Sequence, residues 1–186
     1  MTITPTNLSA AVQIGIPSYQ VQFAATGAQY QPTSCTGSPQ SRINFVLGTN
    51  VANQINEIYS AILSIAASGT STINVQSLAD IWGNTGVSLV RIKGLLFQLL
   101  STAQDPINGT VCSGVTIGQA GSNPFLMFLT GTTPGMVLGN GEAIGWATPL
   151  AAGNTSISGS AKNILITNND SVNAAAVQVS ILGANA

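Results

Sequence analysis

Residues 87–100 read VSLVRIKGLLFQLL, and the conformation of this stretch decides the fold. Leu95, Leu96, Leu99 and Leu100 are good helix formers and invite a helix. The first half points the other way. Val87, Leu89, Arg91 and Lys93 alternate with Val90, Ile92 and further apolar residues, a period of two that divides a strand into faces and leaves a helix without one. The stretch is expected to be a strand, with Arg91 and Lys93 on one face and Val90 and Ile92 on the other. That pair then marks either a solvated edge that resists aggregation or a contact with a neighbouring subunit.

The same ambiguity holds at 51–67, where Ile55, Tyr59, Ile62 and Leu63 fall near helical spacing. Ile58, Ile62 and Ile65 mix with serines there and Gly69 follows at once, so this segment too is expected to be a strand. Outward from these two, short apolar or alternating runs recur at sandwich-like intervals: RINFVL, STINVQSLA, TVCSGVTIG, NPFLMFL, GMVLG, EAIGWA, NTSISGS, KNILITN and AAAVQVSILG. Turn signals separate them at Gly83-Asn84, at residues 131–135, at Gly139-Asn140-Gly141 and at Asn168-Asn169-Asp170. The pattern predicts an all-β chain, an antiparallel β-sandwich of jelly-roll type with an N-terminal arm. Residues 1–41, with AVQIGI, YQVQFAA and a polar run through QPTSCTGSPQS, form the arm or peripheral strands; residues 42–186 form the sandwich domain, its body spanning 42–183. The expected core is Phe45, Val46, Ile62, Ile73, Val75, Leu89, Ile92, Leu96, Phe97, Val115, Ile117, Phe125, Leu126, Phe128, Ile144, Trp146, Ile164, Ile166, Val177, Val179 and Ile181.

A chain of 186 residues suffices for one such domain. Only 5% of its residues are charged, against about 25% in ordinary domains, and Ser, Thr, Asn, Gln, Gly and Ala stand in their place. A polar but non-ionic surface stays hydrated while offering little repulsion between copies. Its cations are Arg42, Arg91, Lys93 and Lys162, too few for the basic surface that phosphate neutralisation needs, so no nucleic-acid partner is expected. No membrane contact is expected either: the apolar stretch 58–67 is short, 87–100 carries Arg91 and Lys93, and no polybasic patch exists. The opening MTITPTNLSAAVQIGIP lacks a basic segment followed by an apolar one, so no signal peptide is expected and synthesis in the cytoplasm of a cell is. Cys35 and Cys112 are far apart in sequence; they form either one bridge or two separate thiols, the latter favoured in a reducing cytosol.

The chain contains no histidine, which removes the commonest acid-base side chain, the usual transition-metal ligand and every Ser-His or Cys-His pair. Glu57, Asp80, Asp105, Glu142 and Asp170 are scattered singly, as turn or solvated residues. GQAGSNPF at 118–125 lacks the Lys-Ser/Thr ending of a phosphate loop, and neither Lys93 nor Lys162 stands in a Ser-x-x-Lys arrangement. The expectation is a protein that is not an enzyme, with no catalytic, cofactor-binding or metal-ligating residues. Trp82, Trp146, Tyr30 and Tyr59 are the side chains that would stack on sugars in an alternative role as a glycan- or receptor-binding module. A third role is a filament or adhesin subunit that exchanges its N-terminal strand.

From about residue 46 to 183 the chain resembles a family of small structural proteins of tailed phages and prophage-like regions. Trp82-Gly83 before VSLVRIKGLL matches an aromatic-Gly pair and an Ile-Lys core strand, and VTIGQAGSNPF matches a glycine-rich run ending in Asn-x-Phe. GMVLGNGEAIGWATP, SGSAKNILITNN and VQVSILG follow in the family's order. Gly139-Asn140-Gly141 replaces the usual Pro-Gly-Gly, Lys162-Asn163 stands where an acidic residue is common, and the arm has no counterpart. The resemblance implies a virion structural protein, a capsid decoration, minor capsid or fibre-base subunit, whose partners are copies of itself and a major capsid or other virion protein. It carries over no catalytic residue.

Overall fold

The computed structural model describes residues 9–14, 41–49, 52–101, 111–118, 135–148, 150, 153 and 162–185. All regular structure among them is extended. In chain order the strands are β1 (Ser9–Ile14), β2 (Ser41–Leu47), β3 (Gln54–Ile55), β4 (Glu57–Ile65), β5 (Thr70–Asn74), β6 (Leu78–Ala79), β7 (Thr85–Val87), β8 (Arg91–Leu99), β9 (Gly114–Gly118), β10 (Gly135–Gly139), β11 (Ala143–Ala147), β12 (Asn163–Asn168) and β13 (Ala175–Ala184). Both segments that invited a helix are strands, β4 and β8. Predicted strands NPFLMFL and NTSISGS, with core candidates Phe125, Leu126 and Phe128, lie outside the described residues.

Two four-stranded antiparallel sheets share one apolar core, as in a β-sandwich. Their orders are β11-β8-β13-β4 and β10-β9-β12-β5. Pairing in the first sheet builds straight inward rows. Tyr59, Ile181, Leu95 and Trp146 form one, and Ala61, Val179, Phe97 and Ile144 the next. Tyr59 and Trp146 occupy opposite edges of their row and pack half-buried against the core. Their rings close the two open sides of the sandwich, where a small residue would let water reach Leu95 and Ile181. From the facing sheet, Ile73, Val115, Ile117, Ile164 and Ile166 complete the core, each β-branched and suited to a pleated surface.

The alternation overturns three core candidates. Val46, Ile62 and Leu96 are exposed on outer faces, because their neighbours Phe45, Leu63 and Phe97 turn inward and a strand cannot bury both. The larger correction is Lys93. β13 pairs Leu182 with Gly94 but Gly183 with Ile92, so Lys93 is the extra residue of a β-bulge, and Ile92 and Lys93 are both buried. The face that Lys93 was expected to wet is closed: its side chain is 0% exposed. Gly153 fits over it, with φ +59 and so little room that a Cβ would come 3.1 Å from the lysine's Cγ and 2.8 Å from the Ile92 carbonyl oxygen.

A smaller sheet, β1-β2-β3, lies N-terminal to these, with β1 antiparallel and β3 parallel to β2. The sequence boundary between residues 41 and 42 thus falls at the start of β2, and β1 is paired to the strand that opens the second segment. Phe45 and Ile55 are its buried anchors.

Candidate interaction surfaces

Among the described residues, the outward positions on both broad faces of the sandwich are uncharged. On the outer face of β11-β8-β13-β4 the alternation presents Ala143, Gly145 and Ala147, then Gly94, Leu96 and Gln98, then Gln178, Ser180 and Leu182, then Ser60, Ile62 and Ser64. On the other outer face Val137, Thr116, Thr167 and Thr70 stand in one cross-strand row and Leu165 pairs with Thr72 in the next, with glycines flanking Val137 and Thr116. Val137 is 65% exposed on that glycine background. Covering such a face with protein desolvates no ion, so the contact escapes the main penalty of burying charge.

The charged side chains that the structure describes sit at strand ends and turns or, for Lys93, inside. Glu57 and Arg91 are the first residues of β4 and β8, and the Arg91 guanidinium donates to the Thr49 carbonyl oxygen at 3.3 Å. Glu142 accepts the Gly139 amide at 2.7 Å across the corner where β10 passes to β11, with Gly141 at φ +78. Asp105 lies outside the described residues.

At one end of the sandwich, Asn168 and Asp170 tie three chain segments together. Asn168 is 1% exposed; its Nδ2 donates to the carbonyl oxygens of Ile65, Ala66 and Asn173, and its Oδ1 accepts the Asp170 amide and the Cys112 thiol. Asp170 accepts the amides of Ser113, Val172 and Asn173. Those amides, Asn173 first, then Val172 and Ser113, hold its carboxyl well below the usual carboxylate range. Asn-Asn-Asp, read in sequence as a turn, is also the fastening between β4, β9 and the β12-β13 turn.

At the opposite end, Asp80 accepts the amides of Trp82 and Asn84 and the Asn84 side-chain amide. Ile81 donates to the Ile58 carbonyl oxygen at 3.0 Å, which brings this turn against β4. Glu57 and Asp80 consequently meet, a correction to the expectation that the carboxylates stay apart. Burial first, then the charge and hydrogen bond of Asp80, push the Glu57 carboxyl up. Asn185 donates to Glu57 at 2.6 Å and exchanges two hydrogen bonds with Asn56. These groups fasten the end of β13 to the start of β4.

Of the aromatic side chains considered for sugar stacking, Tyr59 and Trp146 are committed to the core, Trp82 is half-buried in the Asp80 turn and Tyr30 lies outside the described residues. Cys112 is a buried free thiol that burial pushes up, away from the reactive thiolate; Cys35 lies outside the described residues. Burial, then the charge of Arg91, pushes the Lys93 amine down. Among the described residues no group of three or more Asp, Glu or Cys side chains is placed to hold a metal ion, and no helix is long and apolar enough to cross a membrane. Sequence reasoning missed the charge-free faces because composition counts charges without placing them. No family model matches the chain, and no curated protein matches it in sequence.

Proposed function

We propose that the protein is a structural subunit that works by assembling, with copies of itself and with another virion protein, as a capsid decoration, minor capsid or fibre-base component. The observation that carries this reading is that the described outward positions of both broad faces bear no charge, so neutral protein can cover them without desolvating an ion. Such faces suit close contact between like copies, where single-sign charge would repel.

Strand order supports a jelly-roll type of sandwich. From β4 to β13 the consecutive long strands change sheet at every step except β9 to β10, and the orders β4-β13-β8-β11 and β5-β12-β9-β10 are those of two interleaved Greek keys. This architecture recurs in viral shells and in lectins. Between the two, the sugar-binding role draws less support, since Tyr59 and Trp146 close the core. The resemblance to small tailed-phage structural proteins favours the particle, and the N-terminal arm would reach a neighbouring subunit.

Mass spectrometry of purified particles from the source tests the proposal. The chain is expected there at a fixed copy number relative to the major shell protein; its absence from every particle and filament fraction would falsify the assignment.

A further inference from the structure

We propose that Asn140 is a site of spontaneous covalent modification, converted to aspartate and isoaspartate in the folded protein by attack of the Gly141 backbone nitrogen. This chemistry is independent of the assembly reading and belongs to the corner where β10 passes to β11.

Gly139, Asn140, Gly141 and Glu142 form a β-turn closed by the Glu142 amide, which donates to the Gly139 carbonyl oxygen at 3.0 Å. Gly141 has φ +78, the value that the third residue of a type II turn takes, and glycine adopts it at no steric cost. Asn140 is exposed at the second position of the turn, and its Nδ2 donates to the Cys112 carbonyl oxygen at 3.3 Å. Among the described residues no hydrogen bond engages the Gly141 amide, and a Cβ at Gly141 would meet only the Ser101 Cβ, at 3.6 Å. The attacking nitrogen is uncommitted, and no side chain stands between it and the Asn140 Cγ. Every other described asparagine precedes a residue with a side chain, which crowds the amide that would attack.

The Gly141 nitrogen bonds to Cγ as the Cγ–Nδ2 bond breaks, and the amide proton leaves with Nδ2 as ammonia. Water then opens the cyclic imide at either carbonyl. Opening at Cγ gives aspartate; opening at the main-chain carbonyl gives isoaspartate, with Cβ now part of the backbone. Nothing is oxidised or reduced. Either product adds a carboxylate and takes the formal net charge from −1 to −2. In aspartate an acceptor replaces the Nδ2 donor opposite the Cys112 carbonyl oxygen, and the new charge stands close in sequence to Glu142, whose carboxylate holds the Gly139 amide. Isoaspartate lengthens the turn that joins the two sheets. Conversion therefore loosens this corner.

Peptide mapping by mass spectrometry tests the proposal, on the full folded chain kept for days in mildly alkaline buffer, beside the same chain unfolded in guanidinium. The folded chain is expected to lose the Asn140 peptide to two acidic products, while the peptides holding Asn84, Asn168 and Asn173 stay intact. Asn140→Gln is expected to abolish conversion at that position. If Asn140 survives in the folded chain over a time in which it converts in the unfolded one, the site is overturned. Asn140→Asp, which mimics one product, is expected to keep the β circular-dichroism spectrum and lower Tm by about 2–4 °C, the effect of one lost hydrogen bond in a chain of this size. An unchanged Tm would overturn the loosening of the corner.

Discussion

The two ends of the sandwich solve the same problem with opposite electrostatics. At the Asp170 end, one carboxylate faces backbone amides and is held ionised. At the Asp80 end, Glu57 is pressed against Asp80 and its ionisation is opposed. Glu57 pairs with Gly183 and Ile65 with Ala175, so the same two strands, β4 and β13, run from one end to the other. The contrast teaches that a chain with so few charges still sets its described carboxylates in strong, local roles at the rims, while the described outward positions between them stay neutral.

Removing the amide at the heart of the matched end is expected to have the largest effect. Asn168→Ala leaves the Ile65, Ala66 and Asn173 carbonyl oxygens without their donor in a buried site, a loss of about 2–4 kcal/mol on the usual scale for unsatisfied groups. Thermal unfolding should show a fall in Tm of about 5–12 °C. A change within experimental error would mean that the knot is ornament.

The acid limb comes next. Because the folded state depresses the Asp170 pKa, its contribution is present above the unfolded value of about 3.9 and is lost as pH falls through the folded value. Urea titrations from neutral pH downward should show stability dropping below about pH 4 in the wild type, and Asp170→Asn should lower neutral stability and flatten that drop. An unchanged acid limb in the variant would assign the drop to other carboxylates.

The smallest effect belongs to the mismatched end and has the opposite sign. Glu57 has a raised folded pKa, so its contribution is present below about 4.3 and fades as pH rises. Glu57→Gln keeps an acceptor for Asn185 and offers Asp80 a donor, and at neutral pH it should raise Tm by about 1–2 °C, modest because the group is only partly buried and solvent screens it. A lower Tm would show that the two carboxyls are not in conflict.

Much of the fold was legible because period-two alternation and turn residues agree along most of the chain: GMVLG, KNILITN and AAAVQVSILG became β10, β12 and β13 almost residue for residue. Legibility failed where a run is apolar on both faces. Leu95-Leu96-Phe97 carries no period, so the inward residues are chosen by register against Ile181, Ser180 and Val179 of β13. Lys93 failed for a related reason, since a bulge is a property of two paired strands and neither alone announces it. The candidate surfaces were half legible. The scarcity of charge is read directly from composition, but its confinement to the rims, and the meeting of Glu57 with Asp80, arise from pairing across the whole chain.

The central claim is that neutral faces, without help from ion pairs, hold this protein to its neighbours. Sedimentation velocity of the wild type over a concentration series, at ionic strengths from about 0.05 M to about 0.5 M, tests it most directly, because this range takes the screening length from more than 10 Å to less than 5 Å. Association whose strength stays constant or rises with salt is the predicted result. A species that remains monomeric throughout, or an oligomer that salt dissolves, would contradict the account.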